Sequence, residues 1–216
     1  MLKRYRTVLN YGEVEHIIEK SRFIGYVKPI QDEEEAIAFI EMIRAQHKNA
    51  THNVPVYIFG ENDEIQRYSE DGEPSGTAGT PILDMLKKEE IKNTVIVVTR
   101  YFGGIKLGTG GLVRAYTSTA KQALHEARVI EKVLYHVIRI RIDYSLLGKV
   151  QNVMMNGGYT IKDTVFDEGV SMFVYARIDE ADLIIKQVIN LTNGKAAADI
   201  VDTLYLNEEN GVLISE

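Results

Sequence analysis

The sequence contains no cysteine and no tryptophan, and only 4 of its 216 residues are proline. Without cysteine the chain has no disulfide, no thiolate metal site and no thiol nucleophile, and it suits a reducing compartment. No stretch of about 18 uncharged apolar residues is present, so we expect neither a membrane span nor a signal peptide. These absences favour a cytoplasmic protein stabilised by an ordinary packed core.

The residues that are present indicate a globular chain, with 45% hydrophobic and 26% charged residues. The net charge of -6 argues against a protein that coats nucleic acid through bulk charge. This charge is uneven, because residues 1–130 hold 17 Lys/Arg against 18 Asp/Glu and residues 131–216 hold 8 against 13, or -1 and -5. A surface that binds a polyanion is therefore predicted to be a local patch in the first part.

Residues 1–130 carry the patterns of a mixed helix and strand domain. The apolar run Val95–Val98 is typical of a central strand buried on both faces. Two runs around residues 60–63 predict a hairpin. Capping and periodicity predict three helix starts, which lie at Asp32, at Thr80 with Pro81, and at Leu112.

From about Glu131 the pattern changes. The predicted order of elements is βαββαβ, which is that of a ferredoxin-like α/β sandwich. We therefore divide the chain into a first domain of residues 1–130 and a ferredoxin-like domain of residues 131–216.

Two stretches, residues 70–79 and 103–111, hold eight of the 17 glycines. This density indicates tight turns or a close approach of the backbone to another group. Backbone N–H groups of the second stretch, at the start of a predicted helix, would form an anion site flanked by Arg100, Lys106 and Arg114. The alternative is that both stretches are turns that pack on each other.

Two nucleotide-binding motifs are not met. Gly103 and Gly108 have the Walker spacing, but Thr109 stands where Lys must follow. Val113 takes the place of the third glycine of a dinucleotide motif. The predicted anion is therefore the phosphate of a nucleic-acid backbone or of an unfamiliar ligand.

Three neighbouring carboxylates, Glu70, Asp71 and Glu73, allow several interpretations. They could bind a divalent ion, act as acid and base, stay solvated, or pair with Arg100 or Arg114 and so hold the two loops together.

Other polar residues give weaker signals. Ser75 lacks the G-x-S-x-G context of a hydrolase nucleophile. His47 and His52 have no third ligand in sequence and are interpreted as structural histidines. No metal and no cofactor is predicted.

Two long motifs identify a family. YSEDGEPSGTAGTPIL (68–83) and VVTRYFGGIKLGTGGLVRAY (97–116) closely resemble the signature of the IMPACT (YigZ-like) family, over roughly residues 15–125. The acidic C-terminal part resembles the small second domain of bacterial members. The resemblance implies an N-terminal α/β sandwich domain similar to ribosomal-protein and elongation-factor-G domains. It also implies a link to translation, which eukaryotic relatives regulate by competing at a ribosome-associated activator of a starvation-sensing kinase.

The sequence thus predicts a two-domain α+β protein. It favours a translation-associated binding protein over an enzyme, with RNA or the ribosome as the partner and a translation-associated protein as a further partner. One alternative is an enzyme acting on a phosphorylated small molecule, and another is an adaptor that docks through its acidic second domain. The predicted interface comprises Arg100, Tyr101, Gly103, Gly104, Lys106, Gly108, Gly110, Gly111 and Arg114, with a cleft shaped by Glu70, Asp71, Glu73 and Ser75.

Overall fold

A five-stranded antiparallel sheet organises the first half of the chain. The computed structural model describes residues 1–214 and divides them into one unit of Met1–Glu131 and a second that begins at Lys132. The first unit contains β1 (Arg4–Val8), β2 (Gly12–Ile18), β3 (Ser21–Pro29), α1 (Glu33–Gln46), β4 (His52–Phe59), β5 (Ile65–Tyr68), α2 (Gly79–Lys88), β6 (Thr94–Tyr101) and α3 (Gly108–Glu126).

The sheet has the order β2-β3-β6-β4-β5, so β6 is its central strand. Every residue of β6 except Tyr101 is buried, which confirms the prediction for Val95–Val98. β4 and β5 form the predicted hairpin.

Helices cover both faces of this sheet. On one face Phe23, Val54 and Ile96 pack with residues of α2 and α3. On the other face Tyr26 and Val97 pack with residues of α1. α3 lies against β2 and β3, at the edge of the sheet opposite β5.

The helix starts agree with the sequence in one case and differ in two. Asp32 caps α1, and its side chain accepts a hydrogen bond from the Glu35 amide at 2.7 Å. α2 starts at Gly79, before Thr80 and Pro81, and α3 starts at Gly108, four residues before Leu112. The α2 prediction was late because it took Thr80 as the cap and Pro81 as the first helical residue. The α3 prediction was late because its first glycines have a low helix propensity, which tertiary contacts outweigh.

The second unit follows the predicted βαββαβ order of strands and helices and adds a short final strand. The elements of this part of the chain are β7 (Val129–Ile142), a 3-10 turn (Tyr144–Leu146), α4 (Leu147–Asn156), β8 (Ile161–Phe166), β9 (Val170–Arg177), α5 (Ala181–Leu191), β10 (Ala197–Glu209) and β11 (Val212–Leu213). The sheet has the order β11-β10-β7-β9-β8, and the core of the unit contains Ile140, Met172 and Ile184. No helix among residues 1–214 is long and apolar enough to cross a membrane.

Candidate functional site

The loop that precedes α2 is attached to its start by the Glu70 carboxylate. Its oxygens accept hydrogen bonds from the amides of Gly76, Ala78, Gly79 and Thr80 at 2.8–3.2 Å, and from the Thr80 hydroxyl at 2.8 Å. Burial raises the pKa of Glu70, but these hydrogen bonds together hold the pKa below its ordinary value. The positive end of α2 is thus occupied by a side chain of the protein itself.

Asp71 attaches the same loop to the start of β4. Its Oδ2 accepts a hydrogen bond from the Asn53 amide at 2.6 Å, and its backbone carbonyl accepts one from Nδ1 of His52 at 2.7 Å. The residue has a φ of 47° and is followed by Gly72 at 86°, so the loop turns sharply here. Ser75, by contrast, is exposed.

Glu73 is the third attachment, and it lies inside the first unit. Its side chain is 3% exposed, and Oε1 lies 2.6 Å from Nη1 of Arg100, whose side chain is 6% exposed. The Tyr116 hydroxyl donates to the same oxygen at 2.7 Å, and Nε2 of His52 lies 3.6 Å away. One buried carboxylate therefore connects the loop to β6, α3 and β4.

The electrostatics of this cluster favour a fixed charge pair. Burial raises the pKa of the Tyr116 phenol and the Glu73 carboxylate raises it further, so the hydroxyl stays protonated and donates. Arg100 also reaches the Ser21 hydroxyl through Nη2 at 3.4 Å. The sequence left open an ion pair of these carboxylates with Arg100 or Arg114. The structure contains such a pair, between Glu73 and Arg100.

The three carboxylates do not converge on a common point. Each is engaged by a different set of protein donors, and no group of three or more His, Asp or Glu among residues 1–214 is arranged to hold a metal ion.

Two predicted interface residues have structural partners. The Tyr101 hydroxyl is hydrogen bonded to Nδ1 of His47 at 2.9 Å, and Nε2 of that ring is bonded to the Tyr26 hydroxyl. Burial lowers the pKa of His47. The Gly103 amide donates to the Ser21 hydroxyl at 3.1 Å, and a Cβ at Gly103 would lie 2.0 Å from the carbonyl carbon of Lys20, so only glycine fits.

The start of α3 differs from that of α2. The first turn of neither helix has an acidic residue. No side chain takes the place at α3 that Glu70 has at α2, and Gly108, Thr109 and Gly110 are exposed. Gly104, at a φ of 87°, is exposed as well, whereas Gly111 is partly buried. The first amides of this 19-residue helix are therefore accessible to an anion.

Basic side chains surround this helix start. Lys106 and Arg114 are exposed, and neither forms an ion pair within the part of the chain that the structure describes. With Lys121 they line an open cleft of about 860 Å³, whose apolar residues include Ile18 and Ile105.

The surrounding sequence explains the local positive charge of an acidic protein. No Asp or Glu occurs between Glu90 and Glu126. Within that stretch the cations are Lys92, Arg100, Lys106, Arg114 and Lys121. Arg100 pairs with Glu73, Lys92 with Asp63 and Lys121 with Glu89. The cations of this stretch that remain accessible are therefore Lys106 and Arg114, although Glu19 also lines the cleft.

Sequence reasoning did not assign His52 or Tyr116 to the buried cluster. The register of the sheet places His52 directly opposite Arg100, and one face of α3 carries Tyr116 onto Glu73. The sequence gives only a weak signal for these two residues. Tyr116 is the last residue of the second motif, and His52 precedes the apolar run of β4.

Most of the chain is similar in sequence to known proteins. The family described as Impact N-terminal domain matches residues 19–124, and a Domain of unknown function (DUF1949) matches residues 140–195. The chain is 44% identical over 208 residues to IMPACT family member YvyE of Bacillus subtilis, covering 96% of each protein. It is 38% identical over 151 residues to IMPACT family member YigZ of Escherichia coli, covering 66% of this chain and 74% of that protein.

A solved structure described as that of a hypothetical protein has a similar fold. It aligns with a TM-score of 0.59 and 27% identity, over 94% of this chain and 99% of the other. The likeness therefore extends over both units of the chain.

Proposed function

The chain belongs to the IMPACT family, and from this premise we propose that it is a translation-associated binding protein that contacts RNA or the ribosome and so regulates translation. The observation that carries the proposal is the exposed, uncapped start of α3 beside Lys106 and Arg114. Amides at a helix start and unpaired cations are the groups that bind phosphate. The family resemblance supports the link to translation, and such a role places the protein in the cytoplasm.

The proposal assigns the interface to a smaller set of residues than the sequence predicted. Lys106 and Arg114 contact phosphates, with the backbone of Gly108, Gly110 and Gly111. Arg100, Tyr101 and Gly103 position the loop, because Arg100 and Tyr101 are engaged by Glu73 and His47 and Gly103 lies against Lys20. Glu70, Asp71 and Glu73 fix the adjoining loop.

For the fold, we propose that the first unit is similar to ribosomal-protein and elongation-factor-G domains and the second to ferredoxin-like domains. The order of elements from β7 to β10 supports the second assignment.

A sedimentation experiment tests the proposal. The intact protein is expected to sediment with ribosomes at low salt and to be released at high salt, because phosphate contacts weaken as salt increases. The double variant Lys106→Ala/Arg114→Ala is expected to stay in the supernatant. The matched control is Lys48→Ala/Arg67→Ala, which removes one exposed Lys and one exposed Arg beyond the end of α1 and on β5.

Binding of single-stranded RNA gives the quantitative form of this test. Each lost phosphate contact is expected to reduce the slope of log K against log salt by roughly 0.7, or roughly 1.4 for the double variant. An unchanged slope and unchanged sedimentation in Lys106→Ala/Arg114→Ala would contradict the proposal. Equal losses in the control would assign the effect to overall charge instead of this surface.

A further inference from the structure

Phe102 is an exposed aromatic residue directly after the buried strand β6. Its side chain is 46% exposed, whereas Arg100, two residues earlier, is buried. The Arg100 guanidinium carbon lies 5.5 Å from the centroid of the Phe102 ring and 5.3 Å from that of Phe23. Both distances are within the range of a cation–π contact. The guanidinium therefore supports the exposed ring from inside the protein.

This ring is fixed in place by its surroundings. The Phe102 amide donates to the Thr51 hydroxyl at 2.9 Å, and the next amide, of Gly103, donates to Ser21. Arg100 is itself held by the ion pair with Glu73. Single exposed apolar residues are ordinary on protein surfaces. This one is held at its backbone and on its ring, so it is ordered before any partner arrives, which lowers the entropy cost of binding.

The position of the ring relates it to the phosphate contacts proposed above. Lys106 follows Phe102 by four residues, so their Cα atoms are at most about 14 Å apart. A strand that places phosphates on Lys106 and the start of α3 therefore has a base within reach of Phe102. Aromatic side chains stack on bases that are unpaired, whereas the bases of a duplex are stacked on each other.

We propose that Phe102 is a stacking platform for an unpaired nucleobase, so that the ligand of this surface is single-stranded or looped RNA. The inference rests on the proposed RNA contact and adds the class of RNA. Recognition by a ring face is tolerant of sequence, because every base has a π-face. The backbone contacts at Lys106 and Arg114 are equally tolerant, so the surface reads strandedness and not sequence.

The experiment compares RNA with and without bases. Fluorescence anisotropy measures binding of a labelled oligoadenylate of about 12 nucleotides, of the same strand made of abasic residues, and of a duplex of equal length. The intact protein is expected to bind the base-containing strand about 5- to 140-fold more tightly than the abasic strand, from one stacked base. Phe102→Leu is expected to abolish that preference and to leave the salt slope unchanged. Phe102→Tyr is expected to retain it.

Phe166→Leu is the matched control, since it makes the same substitution at a ring that is 59% exposed in the second unit. It is expected to bind like the unmodified protein. The comparison of base-containing with abasic RNA is made on the unmodified protein, so it tests the inference even if Phe102→Leu fails to fold.

The outcomes separate this inference from the proposed function. If RNA binds with a salt slope that depends on Lys106 and Arg114, but abasic RNA binds equally well, the stacking inference is wrong and the phosphate contact stands. If no RNA binds, the stacking inference is wrong, and sedimentation with ribosomes decides the proposed function. If Phe102→Leu keeps its preference for bases yet loses sedimentation with ribosomes, Phe102 contacts a protein and the inference is overturned.

Discussion

At the scale of single residues, three neighbouring carboxylates of the same loop perform three different tasks. Glu70 caps α2, Asp71 bonds to the start of β4, and Glu73 pairs with Arg100 inside the first unit. The sequence included pairing with Arg100 among its interpretations. It could not choose between the three carboxylates, because the choice depends on where β4, β6 and α3 lie.

Glu73→Gln is expected to lower the free energy of unfolding by about 3 kcal/mol, because it leaves the buried Arg100 without a charged partner. Urea denaturation followed by circular dichroism measures the change. The matched control is Glu15→Gln, which breaks the exposed pair of Glu15 with Arg22, 44% and 46% exposed. The control should change stability much less, since exposed pairs are screened by solvent. Equal effects of the two variants would show that the Glu73 pair contributes no more than a surface contact.

At the scale of elements, α2 and α3 each begin within one of the two glycine-rich stretches but differ at their starts. The start of α2 is filled by Glu70, whereas that of α3 has no side-chain cap. Sequence patterns predicted both helices within a few residues. They did not predict the Glu70 cap, because its carboxylate comes from a residue nine positions before the helix and outside any local capping pattern.

Glu70→Ala is expected to destabilise the protein by about 2 kcal/mol or more, since it leaves several partly buried amides unpaired. Asp32→Ala, which removes an ordinary cap from α1, should cost about 1 kcal/mol. The pKa of Glu70 is lower in the folded state than its value of about 4.5 in the unfolded chain. The stability that the Glu70 carboxylate contributes is therefore fully present above pH 4.5 and is lost as the pH falls through the lower folded pKa. Urea midpoints measured from pH 7 downward check this. A difference between Glu70→Ala and the unmodified protein that stays constant down to the lowest pH would contradict it.

At the scale of the whole molecule, the hydrophobic clusters of the described chain separate by unit. Two clusters lie within residues 8–129, and a third contains only residues from Ile138 onward. The buried pair of Glu73 and Arg100, the uncapped start of α3 and Phe102 all belong to the first unit. Each unit therefore has its own core, which is the property of a domain that folds independently.

A fragment of residues 1–131 is expected to fold alone, because it retains both clusters of the first unit and the whole site. It should show a single cooperative urea transition and a near-ultraviolet circular dichroism signal from ordered aromatic side chains. A fragment without a cooperative transition would mean that the first unit depends on residues after Glu131. The fragment should also keep the RNA affinity of the intact protein, since it contains Lys106, Arg114 and Phe102.

The sequence by itself determined most of the helices and strands, the buried central strand and the family, since helix and strand periodicity and the two long motifs are local patterns. It did not predict β1 or β11. Only the tertiary structure decided how the charged residues are used. Arg100 and Lys106 look equally available in the sequence, yet Arg100 is buried against Glu73 and Lys106 is exposed. The reason is that Arg100 lies on β6, where the sheet register places Phe23 and His52 beside it, whereas Lys106 lies in the loop beyond the sheet. Register and helix packing join residues that are far apart in the chain, and no local pattern encodes those pairs.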